Sequence, residues 1–123
     1  MSLNYFPAVS IDTVAATSTR IFGVVPPEAK GLQVRQVDIW VATELALGTS
    51  DYWVLQLGTM DREFKVKASI TDPSKGLALG RNRVAINPVV VYSRGEVMAV
   101  RALMVGSPSA LTGCDVVPYL QEP

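Results

Sequence analysis

The sequence predicts an all-β fold, an antiparallel β-sandwich of jelly-roll type with about seven to eight strands. Three observations predict it. Apolar and polar residues alternate with period two, most plainly where Phe64, Val66, Ala68 and Ile70 interleave with Lys65, Lys67 and Ser69. The runs are rich in Val, Ile, Thr, Trp and Tyr, and Gly, Pro, Asp and Asn punctuate them. No window of helical length carries an apolar repeat at i, i+3, i+4 and i+7. The best helical stretch, Ala42 to Leu47, is too short to matter.

The elements follow in order. Ala8 to Asp12 is a short candidate strand, and Thr17 to Val25 the first long one. Pro26 and Pro27 open a corner that cannot pair as sheet. In Gln33 to Thr43, Val37, Ile39 and Val41 alternate with Gln36, Asp38 and Trp40. Tyr52 to Thr59 places Trp53, Leu55 and Leu57 on one face, and Met60-Asp61-Arg62 is short enough for a hairpin turn into Glu63 to Ile70. Thr71 to about Arg81 is the longest connection. Arg83 to Tyr92 and Gly95 to Val105 are more continuously apolar, which predicts burial on both faces. Pro88 marks an edge, a bulge or a break in the first of them. Cys114 to Leu120 completes the set. The predicted core holds Val37, Ile39, Val41, Trp53, Leu55, Leu57, Phe64, Val66 and Ile70.

At 123 residues the chain suits a single domain, residues 1–123. Residues 1–13 precede the confident strands and form a candidate N-terminal arm, which either reaches a neighbour or folds back. Apolar residues make up 49% and charged residues 18%, too little charge to coat a small sandwich evenly, so part of the surface is expected to be covered. Lys and Arg number 11, as do Asp and Glu, which gives no electrostatic reason to seek nucleic acid or an acidic membrane. Met1 to Pro7 lacks the regions of a signal peptide, and no apolar run approaches the roughly 18 residues of a membrane span. Synthesis in a cytoplasm is the expectation.

Catalytic equipment is sparse. With no histidine, the commonest general base and metal ligand is missing, and one cysteine leaves no soft zinc site. No glycine-rich phosphate loop is present. No catalytic residue, metal or cofactor is expected. Asp61 and Glu63 are spaced to share a face, but a turn and a charged strand opening explain both. Gly80-Arg81-Asn82-Arg83 is a basic cluster that suits phosphate or, more often, forms a solvated loop tip or a contact to an acidic partner. Trp40 shares parity with polar residues, so it is expected to be exposed, as an interface anchor or as a platform for a sugar. Leu3, Tyr5 and Phe6 have no place in the sandwich and suit a contact with a neighbour. The candidate protein-interface residues are therefore Leu3, Tyr5, Phe6, Trp40, Arg81 and Arg83.

A resemblance extends this. The Thr-rich opening Ala16-Thr17-Ser18-Thr19-Arg20-Ile21-Phe22 precedes a proline turn. Later come Val41-Ala42-Thr43, the run Gly48-Thr49-Ser50-Asp51-Tyr52-Trp53, then Arg94-Gly95-Glu96-Val97 and Val105-Gly106-Ser107-Pro108. In this order, from about residue 16 to 112, the chain resembles small virion structural proteins of tailed bacteriophages, above all head decoration (cement) proteins. It departs from them at Pro26-Pro27, where a single proline is expected. The resemblance implies a non-enzymatic protein on the capsid surface, made in the host cytoplasm. It would bind the major capsid protein or another virion protein, stabilise the head, and form a homo-oligomer, by analogy a trimer. The rival is a tail-associated or receptor- or glycan-binding module, and a carboxylate-based enzyme stands third.

Overall fold

A computed structural model describes residues 4–42, 50–71 and 77–123, with the backbone alone for Asn4 and Tyr5. The strands are β1 (Asn4–Tyr5), β2 (Val9–Ile11), β3 (Ser18–Val24), β4 (Leu32–Val41), β5 (Tyr52–Asp61), β6 (Glu63–Ser69), β7 (Gly80–Tyr92), β8 (Val97–Val105) and β9 (Cys114–Gln121). All pairings between them are antiparallel, and no helix occurs among the described residues. β1 and β2 lie in succession along one edge of β9, and that sheet continues through β4 to β7. The second sheet runs β3-β8-β5-β6. The predicted sandwich is what the chain forms. Its hairpin pairing is nested: β2 with β9, β3 with β8, β4 with β7, β5 with β6.

The period-two pattern explains the layers. Val34, Val37, Ile39 and Val41 of β4 and Val116 and Leu120 of β9 point inward, where they join Leu55, Leu57, Val100 and Ala102 of the other sheet in one cluster. Each large side chain so enclosed stabilises the fold by roughly 1.5–3 kcal/mol. Trp53 is buried as expected, and its indole N–H donates to the Ser109 carbonyl at 2.8 Å.

Three expectations change. Phe64 and Val66 are not in the core. β6 pairs Leu57 with Ala68 but Gly58 with Val66, so Lys67 is an extra residue in a bulge. The bulge flips the alternation: Ala68 and Ile70 face inward, Phe64 and Val66 outward. β7 is not buried on both faces, since it is an edge strand with Val89 and Val91 exposed. Pro88 therefore costs no ladder bond, and with Lys65 and Lys67 on β6 it discourages pairing at that side of the sandwich. Finally, the candidate arm lies on its own domain from Asn4 onward. Tyr5 pairs with Leu120, Val9 with Val116, and Val9 and Ile11 are core residues. Leu3, and the stretch Ala42 to Leu47 beyond Ala42, lie outside the described residues.

Tyr92 is fully enclosed at the end of β7, edge-on to the Phe22 ring, and its hydroxyl has no hydrogen-bond partner among the described residues. Burial pushes the phenol well above its ordinary 10.0 and the Glu96 charge adds to this; the Gly58 backbone, near the hydroxyl but outside hydrogen-bonding geometry, offsets a little of it. Burial, with the Asp115 charge, likewise pushes the Cys114 thiol from 9.0 up to about 11. Both groups keep their protons longer in the folded chain than in the unfolded one. Their contribution to stability is thus complete below about pH 9 and declines as pH rises through the folded values. Tyr92→Phe is expected to stabilise the fold by about 1 kcal/mol at neutral pH, by removing an unpaired buried hydroxyl. It should also flatten the alkaline decline. Urea unfolding at pH 7 and pH 10.5 checks both, and a destabilised Tyr92→Phe would mean that the hydroxyl is paired.

Candidate protein-interaction surfaces

The outer face of the β9-β4-β7 sheet gathers three of the predicted interface residues. β4 and β7 pair with Trp40 opposite Arg81 and Asp38 opposite Arg83. Residues two apart on a strand share a face, so Arg81 and Arg83 flank Asp38. Asp38 Oδ2 accepts from Arg81 Nε at 2.8 Å and from the Tyr119 hydroxyl at 2.7 Å. Oδ1 accepts from Arg83 Nε and from Gln36 Nε2, each at 3.2 Å. Asp38 points away from the core yet is 1% exposed, because these neighbours close over it. Both arginines remain about half exposed.

Apolar shoulders stand on either side. Trp40 is 47% exposed, and the Arg81 guanidinium lies 5.9 Å from its ring centroid. One face of the indole is thus engaged by a cation, which disfavours a sugar platform and suits an interface anchor. Phe6 rests on the Tyr119 ring at 4.9 Å and is otherwise exposed, so it joins the same face. Tyr5 sits in β1 beside β9, its side chain outside the description.

Asp38 and Tyr119 were not among the residues that the sequence singled out. One signal pointed to Asp38: an acid between Val37 and Ile39 in a long apolar strand needs cationic partners if it is enclosed. Nothing in the sequence says that β7 supplies them.

The outer face of β3-β8-β5-β6 has a different character. The outward register pairs are Tyr52 with Val105, Val54 with Leu103, Gln56 with Arg101 and Gly58 with Ala99. They alternate with the core pairs Leu55 with Ala102 and Leu57 with Val100. Ile21 and Val24 of β3 and Phe64 and Val66 of β6 extend the apolar surface to both edges. Ile21 is 60% exposed and Val66 52%. Arg101 is the one charged residue at an outward position of these strands among the described residues. It donates to Gln56 Oε1 from Nε at 2.9 Å and from Nη2 at 2.7 Å, and it lies over the Phe64 ring at 4.5 Å. Phe64 in turn covers Gly58, where a Cβ would collide with the phenyl ring and with the Lys65 carbonyl.

Asp61 and Glu63 face each other across the β5–β6 turn, both exposed. No group of three or more Asp, Glu or Cys side chains arranged to hold a metal occurs among the described residues. No family model, curated protein or solved structure matches the chain.

Proposed function

We propose that the chain is a structural binding module of a phage head: a decoration protein that self-associates, docks on assembled capsid subunits from outside and stabilises the shell. The reading is non-enzymatic. The observation that carries it is the apolar outer face of β3-β8-β5-β6. A small domain that leaves Ile21, Val24, Phe64, Val66, Val97 and Leu103 along one sheet face with a single charge among them has a surface suited to cover. Obligate interfaces between copies are apolar in this way, whereas docking sites for a separate partner carry more charge. The apolar face is therefore assigned to a second copy of the chain, as part of a homo-oligomer, by analogy a trimer. The charged face on the other sheet is left for the shell. The antiparallel two-sheet sandwich supports the same reading, because double-sheet β-folds, jelly rolls among them, are frequent in viral capsids.

Sedimentation velocity tests the assignment. The full chain should associate at micromolar concentration. Ile21→Lys/Val66→Lys, which places two charges on the apolar face without touching the core, should sediment as a monomer with unchanged thermal stability. A full chain that stays monomeric, or a double variant that associates like the parent, contradicts the assignment.

A further inference from the structure

We infer that the Arg81–Arg83 face is a receptor for a carboxylate-rich segment of a partner protein. The inference rests on the docking reading and names the chemistry of the partner that the charged face would meet. Three features carry it.

The first is the unused hydrogen-bonding capacity of the arginines. Each is tied to Asp38 through Nε; the Tyr119 hydroxyl also sits against the Arg81 guanidinium, while among the described residues no hydrogen bond engages the Nη groups of Arg83. A guanidinium fixed at Nε presents its two Nη donors in a set direction, and paired donors match the two oxygens of a carboxylate. Holding the side chains beforehand reduces the ordering cost of binding.

The second is charge. Asp38 balances one of the two guanidiniums. Along the rest of this face, Arg35 adds a positive charge and Asp115, opposite Trp40, a negative one. Over the outward positions of β4, β7 and β9 this leaves one positive charge in surplus, with the exposed Asp12 carboxylate at the margin beside Gly113, on a chain that is neutral overall. A single surplus charge suits a short acidic peptide. Nucleic-acid binding depends on neutralising a run of phosphates along an extended basic stripe, which this face lacks.

The third is the setting. Trp40 stands against Arg81 and Phe6 lies over Tyr119 on the same face, and Trp, Tyr and Arg are the residue types that dominate binding energy at interfaces. Apolar shoulders that exclude water on docking lower the local dielectric and strengthen each new ion pair.

The test uses the full chain and two labelled probes at low salt, a hexaglutamate peptide and a single-stranded DNA dodecamer, read by fluorescence anisotropy. The peptide should bind. Arg83→Ala removes the surplus charge and leaves Asp38 paired with Arg81, so the fold is kept. It should weaken peptide binding about tenfold, and Arg83→Lys should recover part of the loss. Ile21→Lys/Val66→Lys, on the opposite sheet, should bind the peptide like the parent even though its self-association is lost, so the two proposals fail separately. Absence of peptide binding, unchanged binding by Arg83→Ala, or tighter binding of the DNA than of the peptide would overturn the inference.

Discussion

Truncating Leu57 to alanine is expected to destabilise the fold by about 2–5 kcal/mol. Leu57 is fully buried at the centre of β5, paired with Val100 of β8 on one side and Ala68 of β6 on the other. Removing its branched end leaves a cavity between two sheets whose backbones are each held by neighbouring strands, so the gap cannot close. Phe64→Ala provides the contrast. Phe64 is the larger side chain, but it lies on the outer face over Gly58, half-buried under the Arg101 guanidinium. Its loss should cost about 1 kcal/mol, since little of its area is removed from water by the core. Urea denaturation of both variants reads the order directly. A Phe64→Ala cost equal to that of Leu57→Ala would place β6 in the register that simple alternation predicts, without the bulge at Lys67.

Asp38→Ala is expected to destabilise by about 1–3 kcal/mol. The carboxylate accepts four hydrogen bonds and is enclosed by the groups that donate them, so its removal unpairs Arg81, Arg83, Tyr119 and Gln36 together. Removing one partner of a fully buried ion pair costs more, because the abandoned charge stays out of water. Here the abandoned guanidiniums are about half exposed and rehydrate, which holds the loss to the lower range. Arg83→Ala combined with Asp38→Ala should cost less than the sum of the single changes, as groups in one network are not additive. A loss below about 0.5 kcal/mol for Asp38→Ala would make the cluster an ordinary surface ion pair.

These contrasts mark what was legible in the sequence. β4 and β5 were legible because each alternates without interruption over its inward positions, so Val37, Ile39, Val41, Trp53, Leu55 and Leu57 fall where period two puts them. β6 alternates as cleanly, but a one-residue bulge reverses its faces, and nothing local announces an insertion that exists only relative to β5. In β7 the continuous apolar run predicts burial on both sides, whereas the strand ends the sheet and leaves Val89 and Val91 in the open. The N-terminal segment misled for a related reason. Ala8 to Asp12 reads as a short strand and contains β2, but nothing before it does, and the sequence does not say that β9 offers a free edge along which both short runs pair. In the candidate site, the exposure of Trp40 and the shared face of Arg81 and Arg83 follow from parity within single strands. Their convergence on Asp38 depends on the pairing of β4 with β7, across about forty residues of chain, and parity carries no information about that.

The most direct test of the proposed function is co-sedimentation with assembled phage capsid shells stripped of their surface proteins. The full chain should pellet with the shells in many copies per particle and raise their melting temperature. Arg83→Ala should pellet less at the same concentration, and Ile21→Lys/Val66→Lys should lose the cooperative part of the binding. A folded full chain that stays in the supernatant at saturating concentration, with shell stability unchanged, would contradict the account.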